Sequence, residues 1–146
     1  MNATTGQVIS AADSTPTTAF VPASGLGIGP YEVAVRAVMP SGLKHARSAV
    51  TTFRIDMPVV VVQPPATFAS RRPTVGWNPL AGAVRYDVEI VNARGAVVAL
   101  GSGIAATSWT VPSNLTAGTG YRFRARGVDA GGVAASWGLS NAFAIR

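Results

Sequence analysis

Three arginines stand at every second position of the segment GYRFRARG, residues 120–127, with apolar residues between them. They are Arg122, Arg124 and Arg126. Guanidinium groups bind phosphates and carboxylates through paired N–H donors. A row of them with aromatic rings exposed on the same face would suit nucleic acid, because bases stack on such rings. The same spacing is also typical of the solvent-facing side of a β-strand, whose side chains alternate between two faces.

Other residue types that perform chemistry are few and scattered. His45, the single histidine, lies in a polar turn, and the glycine-rich segment 25–29 is followed by no lysine and no helical pattern, which a phosphate-binding loop needs. Cysteine is absent, so no disulfide and no thiolate metal site can form. The six acidic residues have no spacing suited to paired-carboxylate catalysis or to a calcium loop. They are Asp13, Glu32, Asp56, Asp87, Glu89 and Asp129. We therefore predict that the protein is not an enzyme and uses no cofactor or metal.

Composition sets further bounds. The chain has 146 residues, which is enough for one small domain and part of another. Its net charge of +6 comes from 12 basic and 6 acidic residues. No apolar run approaches the roughly 20 residues of a membrane-spanning helix, and the longest, residues 58–62, has the length of a strand. We expect no membrane span, and the first residues lack the pattern of a secretory signal peptide.

The chain matches itself over about fifty residues, which is the signature of an internal repeat. The matched positions lie 89 apart as far as Leu26 and Leu115, and 90 apart from Tyr31 and Tyr121 onward. Further matched pairs are Gly6 with Gly95, Phe20 with Trp109, Arg36 with Arg126, Phe53 with Phe143 and Ile55 with Ile145. We predict a partial module at residues 1–57, comprising its last four strands, and a complete module at residues 58–146.

The second copy reads as a series of short strands. Apolar segments alternate with turns rich in Gly, Pro and Asn, and no helical period occurs, which indicates two packed β-sheets. The copy also carries an ordered set of signature residues. They are Pro73 and Trp77 near its start, Tyr86 in its third strand, Leu115 followed six positions later by Tyr121, and the segment SWGLS at 136–140.

This ordered set resembles the fibronectin type III domain. The resemblance implies an all-β, antiparallel, immunoglobulin-like β-sandwich of fibronectin type III type. It implies that Trp77 and Tyr86 are core residues, and that Tyr121 forms a tyrosine corner, in which its hydroxyl bonds the backbone near Leu115. It also implies that Trp137, in the WS-type motif, inserts between arginines of the row Arg122, Arg124 and Arg126, because guanidinium groups stack on indole.

The alternation of residues 84–90 predicts what faces the arginine row. We expect Val84, Tyr86, Val88 and Ile90 to point into the core. Asp87 and Glu89 would then point outward. The resemblance implies that this strand lies beside the arginine strand, so the two acids would stand across from the arginines and pair with them. The charge of the row would be locally offset, so we interpret the arginines as a structural face with some capacity for acidic partners, and we do not expect nucleic-acid binding.

The first copy lacks counterparts of the first three strands, so we expect an exposed apolar face on it. Its apolar residues are Val8, Ile9, Phe20, Val33, Val35, Phe53 and Ile55. Three explanations remain open: the chain is a fragment of a longer repeat array, a second chain completes the sandwich, or the segment packs on the complete module. We favour completion by other polypeptide and expect self-association of the isolated chain.

We therefore expect a non-catalytic interaction or spacer module of a larger extracellular or cell-surface protein, of bacterial origin. Its partners would be other protein chains or adjacent repeats. One alternative is a glycan-binding accessory module of a polysaccharide-degrading enzyme, which would need exposed tryptophans; Trp109 and Trp137 are the candidates, and we expect at least one to be packed. A second alternative is a structural subunit of a polymer assembled by strand exchange.

Overall fold

The computed structural model describes residues 1–3, 6, 8 and 17–146. All regular structure in this part of the chain is β, which confirms the predicted fold class. The strands are β1 Gly29–Val33, β2 Thr51–Ile55, β3 Thr67–Phe68, β4 Thr74–Gly76, β5 Ala83–Asn92, β6 Val97–Ile104, β7 Ser108–Thr110, β8 Gly120–Asp129, β9 Gly138–Leu139 and β10 Phe143–Ile145. Among the described residues, no helix has the length and apolar character needed to cross a membrane.

Residues 58–146 form a two-layered sandwich. Its larger sheet has the strand order β3, β10, β8, β5, β6, with β9 pairing on β8, and its smaller sheet is the antiparallel pair of β4 and β7. All pairings are antiparallel except that of β10 with the short β3. The two sheets share one apolar core, because side chains of β4 and β7 pack in the same cluster as those of β5 and β8.

The core contains the four signature residues that the sequence placed there. Trp77 is 3%, Tyr86 4%, Leu115 4% and Tyr121 4% exposed. The rings of Trp77 and Tyr86 lie with centroids 5.4 Å apart. Tyr121 makes the predicted corner, since its hydroxyl accepts a hydrogen bond of 3.0 Å from the amide of Thr116, next to Leu115. Burial of four such side chains supplies a large part of the apolar area that stabilises the sandwich.

The alternation predicted for residues 84–90 is correct with one exception. Tyr86, Val88 and Ile90 are buried, but Val84 is 54% exposed, so its predicted core position is wrong. The pairing of β5 with β8 shifts register between Ala83 and Arg85. Such a shift sends the side chains before it to the opposite face from that expected of a continuous strand.

Where the structure describes the first segment, its two strands, β1 and β2, form an antiparallel pair. The strand predicted around Phe20 is wrong, because residues 17–28 contain no strand and Phe20 is 46% exposed. Of the earlier predicted apolar residues, Val8 is 62% exposed, and Ile9 lies outside the described residues. Val33, Val35 and Phe53 are exposed as expected of an incomplete sandwich. The division into a partial and a complete module stays a prediction.

We predict that Phe123→Ala lowers the free energy of unfolding by about 3–5 kcal/mol, because Phe123 is fully buried and its truncation leaves a cavity between the sheets. The matched control is Val33→Ala, at the position 90 residues earlier, where the side chain is 44% exposed; there we expect a loss under about 1 kcal/mol. Urea unfolding followed by tryptophan fluorescence measures both. Equal losses in the two variants would contradict the assigned core.

Candidate functional site

The outer face of the larger sheet brings together the arginine row and two acids. β8 and β5 pair so that Arg124 stands opposite Glu89 and Arg126 opposite Asp87. Arg124 Nε donates to Glu89 Oε2 at 2.7 Å. Arg126 donates to Asp87 Oδ2 through Nε at 3.2 Å and Nη2 at 3.1 Å. The cross-strand pairing predicted from the alternation is therefore present for two of the three arginines.

Trp137 lies between these two guanidinium groups. The Cζ atom of Arg124 is 4.8 Å and that of Arg126 4.5 Å from the centroid of the indole ring. β9 pairs with β8 directly after this residue, Leu139 opposite Arg124, which sets the ring over the row. The predicted stacking is thus found for Arg124 and Arg126, and each contact contributes about 0.5–1 kcal/mol where it is exposed. A part for these residues in binding a partner stays a prediction.

Arg122 differs from the other two arginines. Val91, not an acid, stands opposite it on β5, and no carboxylate in the described part of the chain forms an ion pair with it. It borders a shallow, half-open depression of about 420 Å³, which is also lined by Val91, Leu139 and Ala142. The two acids expected to face the row therefore stand opposite Arg124 and Arg126, and Arg122 has no acid at its facing position.

A second set of polar contacts joins the two segments, and sequence reasoning missed it. Arg54 on β2 forms an ion pair with Asp129 at the end of β8, with Nη2 2.9 Å from Oδ2. Asp56 accepts hydrogen bonds of 2.8 Å from both the amide and the hydroxyl of Ser136. The amide of Ile28 donates to the carbonyl of Ala81 at 2.7 Å. We call these contacts the junction.

The backbones approach closely at the junction, which explains two of its glycines. A Cβ atom on Gly27 would collide with the carbonyl group of Ala81, and one on Gly82 with the backbone of Ile28. Gly82 also has φ of +86°, a conformation that other residues rarely adopt. Gly27 and Gly82 were the residues from which the sequence could have indicated the junction. The backbone that each approaches is 54–55 positions away, however, and cannot be identified without the strand order.

Three carboxyl groups at these two places have lowered pKa values. Burial raises the pKa of Asp129, but hydrogen bonds from Val133 and Arg54, with the charge of Arg54, outweigh it. Burial likewise raises the pKa of Asp87, but hydrogen bonds from Ser102, Arg126 and Gly103 outweigh it. For Asp56 the backbone and side-chain hydrogen bonds from Ser136 dominate. All three groups are held in the charged form by the contacts that position them.

The other candidates from the sequence stay apart. His45 is exposed in the loop between β1 and β2. No cluster of three His, Cys, Asp or Glu side chains that could hold a metal ion occurs among the described residues. Trp109 is half-buried against the core, and its indole lies against Gly101. The packing expected of at least one of Trp109 and Trp137 is therefore present.

Comparison with known proteins bears on the architecture. No protein-family model and no curated protein sequence matches this chain. The chain is distantly similar in structure to an Fn3-like protein from Clostridium thermocellum, with a TM-score of 0.43 and 20% identity over 60% of this chain and 85% of that one. It is also similar to CopC from Methylosinus trichosporium OB3b, with a TM-score of 0.42 and 21% identity over 60% of this chain and 92% of that one. The strand order and the shared core define the class of residues 58–146 as an all-β, mostly antiparallel sandwich.

We predict that Arg126→Gln lowers the free energy of unfolding by about 1–2 kcal/mol, because it removes both hydrogen bonds to Asp87 Oδ2 and one guanidinium from Trp137. Arg122→Gln is the matched control, with the same change of charge on the same strand and an expected effect within about 0.5 kcal/mol. Urea titrations of the two variants make the comparison. If Arg122→Gln cost as much as Arg126→Gln, the stacked and paired face would not be the cause.

We also predict the pH dependence of stability. The pKa values of Asp56, Asp87 and Asp129 lie below the ordinary value of 3.8 in the folded chain, so the unfolded chain binds protons first as the pH falls. The contribution of these groups to the free energy of unfolding is fully present above pH 3.8. It is lost as the pH falls through their pKa values in the folded chain. Urea midpoints should therefore change little through these groups between pH 7 and about 5 and decline below about 4. In Asp56→Asn, with one of the three carboxylates removed, the decline should be smaller.

Proposed function

We propose that this chain is a non-catalytic spacer and interaction segment of an extracellular or cell-surface protein. It would consist of a complete fibronectin type III-like module, residues 58–146, preceded by a partial module of the same kind, residues 1–57. The observation that carries the proposal is the junction, where charged and backbone groups of one segment bond directly to the other. A spacer transmits distance and direction, and both require such a fixed joint.

The connecting chain supports the same role. β2 ends at Ile55, and Val59 is already 2% and Val61 7% exposed within the core of the second segment. The amide of Val62 donates to the carbonyl of Gly76 at 2.9 Å, so the connection runs alongside β4. Only three residues separate Ile55 from Val59. A link this short, bonded on both sides, leaves little room for rotation of one segment against the other, unlike the flexible linkers between independent domains.

The arginine face fits a spacer better than a binding surface for nucleic acid. Two of the three guanidinium groups are occupied by acids and by Trp137. The aromatic residues of the same strand, Tyr121 and Phe123, are buried, so they present no ring on which a base could stack. The glycan alternative needs a free planar indole. Trp77 is buried, Trp109 packs on the core and Trp137 is enclosed by guanidinium groups, so we do not extend the proposal to glycans.

We predict a narrow distance distribution between spin labels placed one on each segment. Ser41→Cys and Ser113→Cys provide the sites, since both positions are exposed and the chain has no cysteine of its own. Pulsed electron resonance measures the distance. In the doubly substituted Arg54→Gln, Asp56→Ala chain the distribution should broaden, because the junction loses its side-chain bonds while the core of residues 58–146 is untouched.

The matched control for this measurement is Glu32→Gln with Arg36→Gln, which removes one charge of each sign from the same segment away from the junction. Its distribution should equal that of the unsubstituted chain. A broad distribution in the unsubstituted chain would overturn the spacer proposal.

A further inference from the structure

One face of the first segment is apolar and open. It carries Val33 of β1, Val35 just after β1, and Phe53 of β2, and we call it the open face; Tyr31, which stands opposite Phe53, is itself only 5% exposed. Val33 is 44%, Val35 67% and Phe53 41% exposed. A contiguous apolar surface of this kind on a small segment indicates a docking site.

The corresponding residues of the second segment are fully covered. At positions 90 higher, Phe123 and Ala125 are 0% and Phe143 is 2% exposed. The backbone frame is nevertheless the same in the two segments. Tyr31 stands opposite Phe53 with ring centroids 5.7 Å apart, and Tyr121 opposite Phe143 with centroids 6.0 Å apart.

The tyrosine corner is also matched. The hydroxyl of Tyr31 donates to the carbonyl of Gly27 at 3.0 Å, and that of Tyr121 bonds the backbone of Thr116, which is 89 positions after Gly27. The difference in burial therefore does not come from the two strands themselves. It comes from what lies beside them.

In the second segment, β5 and β3 flank the corresponding strands within the sheet, and Val75 of β4 and Trp77 lie in the same core cluster as Phe123 and Phe143. β5 places Ile90 opposite Phe123 and Val88 opposite Ala125. β3 runs along β10 and sets Phe68 edge-on against Phe143, with ring centroids 5.3 Å apart. Beside β1 and β2, the described residues include no strand corresponding to either.

Residues 1–3 show where such a strand would lie. Asn2 forms an antiparallel bridge with Tyr31, just as Asn92 at the end of β5 stands opposite Tyr121. The amide of Ala3 donates to Pro30 and that of Glu32 to Met1, at 3.0 and 2.8 Å. After each asparagine a glycine amide donates to its carbonyl at 2.9 Å, Gly6 to Asn2 four positions earlier and Gly95 to Asn92 three positions earlier. Met1–Ala3 thus occupy the position and direction of the last residues of β5.

We propose that the open face binds a polypeptide segment of the same kind as residues 58–91, with its β5-like strand antiparallel to β1 and in line with Met1–Ala3. In that register a copy of Ile90 lies opposite Val33, and a copy of Val88 opposite Val35. A copy of Asp87 lies opposite Arg36, an exposed cation at the position of Arg126, so charge as well as shape is matched. This inference rests on the proposed assignment of residues 1–57 to a partial module.

A second copy of this chain is a poorer occupant. Its own residues 58–91 are already engaged in its complete module, where Val88 and Ile90 are 0% exposed. Their donation would require that module to open, at the expense of its core. The favoured occupant of the open face is therefore a further segment of this kind, in addition to the residues 58–91 that already form part of the complete module.

The test is an extended chain in which a new initiating methionine and a second copy of residues 58–91 directly precede Asn2. We expect the amides of residues 33–37 and 51–55 to exchange with deuterium on the order of 100-fold more slowly than in the unextended chain, because the added strand closes the open face. The matched control carries Val88→Asp and Ile90→Asp in the added copy only, and should keep the exchange rates of the unextended chain.

Two outcomes would overturn the proposal. One is equal exchange in the extended chain and its control. The other is a stable dimer of the unextended chain in sedimentation, with residues 33–37 and 51–55 protected, which would make a second copy the occupant. Neither outcome alters the distance between spin labels across the junction, so failure of this inference and failure of the spacer proposal are distinguishable.

Discussion

The structure depends on the alternation of side chains along β8. Phe123 and Ala125 on one side close the core, and Arg124 and Arg126 on the other carry the outer face, so one strand sets both surfaces of the larger sheet. This strand is the central one, with β10 and β9 on one side and β5 on the other. Since side chains have a period of two along a strand, a slip of one residue would bury the guanidinium groups and expose the rings.

The outer face shows how a basic strand is made compatible with a small domain. Arg124 and Arg126 are spaced so that Trp137 fits between them, and Glu89 and Asp87 receive their N–H groups on the other side. Each interaction alone is modest at a partly exposed site, but the four charged groups and the indole hold one another in place. The positive charge of the face is thereby offset by neighbouring carboxylates. The long-range electrostatic field that would steer a nucleic acid is weakened as a result.

The sequence predicts what is local and periodic. The alternation of β8 follows from its own spacing of two residues, whereas the corner at Tyr121 and the stack at Trp137 were expected from the resemblance to the fibronectin type III domain. The core position predicted for Val84 was wrong because the register shift between β5 and β8 cannot be detected from the alternation of apolar and polar residues. The lack of an acid opposite Arg122 depends on the pairing register of β5, which the apolar pattern of either strand does not define. The junction joins positions about 80 residues apart, such as Asp56 and Ser136, and requires the arrangement of both segments.

The first segment shows that burial is a property of neighbours as much as of sequence. Phe53 and Phe143 are the same residue type in the same register opposite a tyrosine, yet one is 41% and the other 2% exposed. An apolar residue in a strand therefore indicates a face that other residues must cover. Which residues cover it can be read only from the structure. The strand predicted around Phe20 failed for the same reason, because a short apolar segment forms a strand only when a second one is present to bond its backbone. In the described part of the first segment, β1 and β2 pair with the Tyr31 and Phe53 rings in contact, and the side chains of Val33, Val35 and Phe53 stay exposed because no further described strand lies beside them.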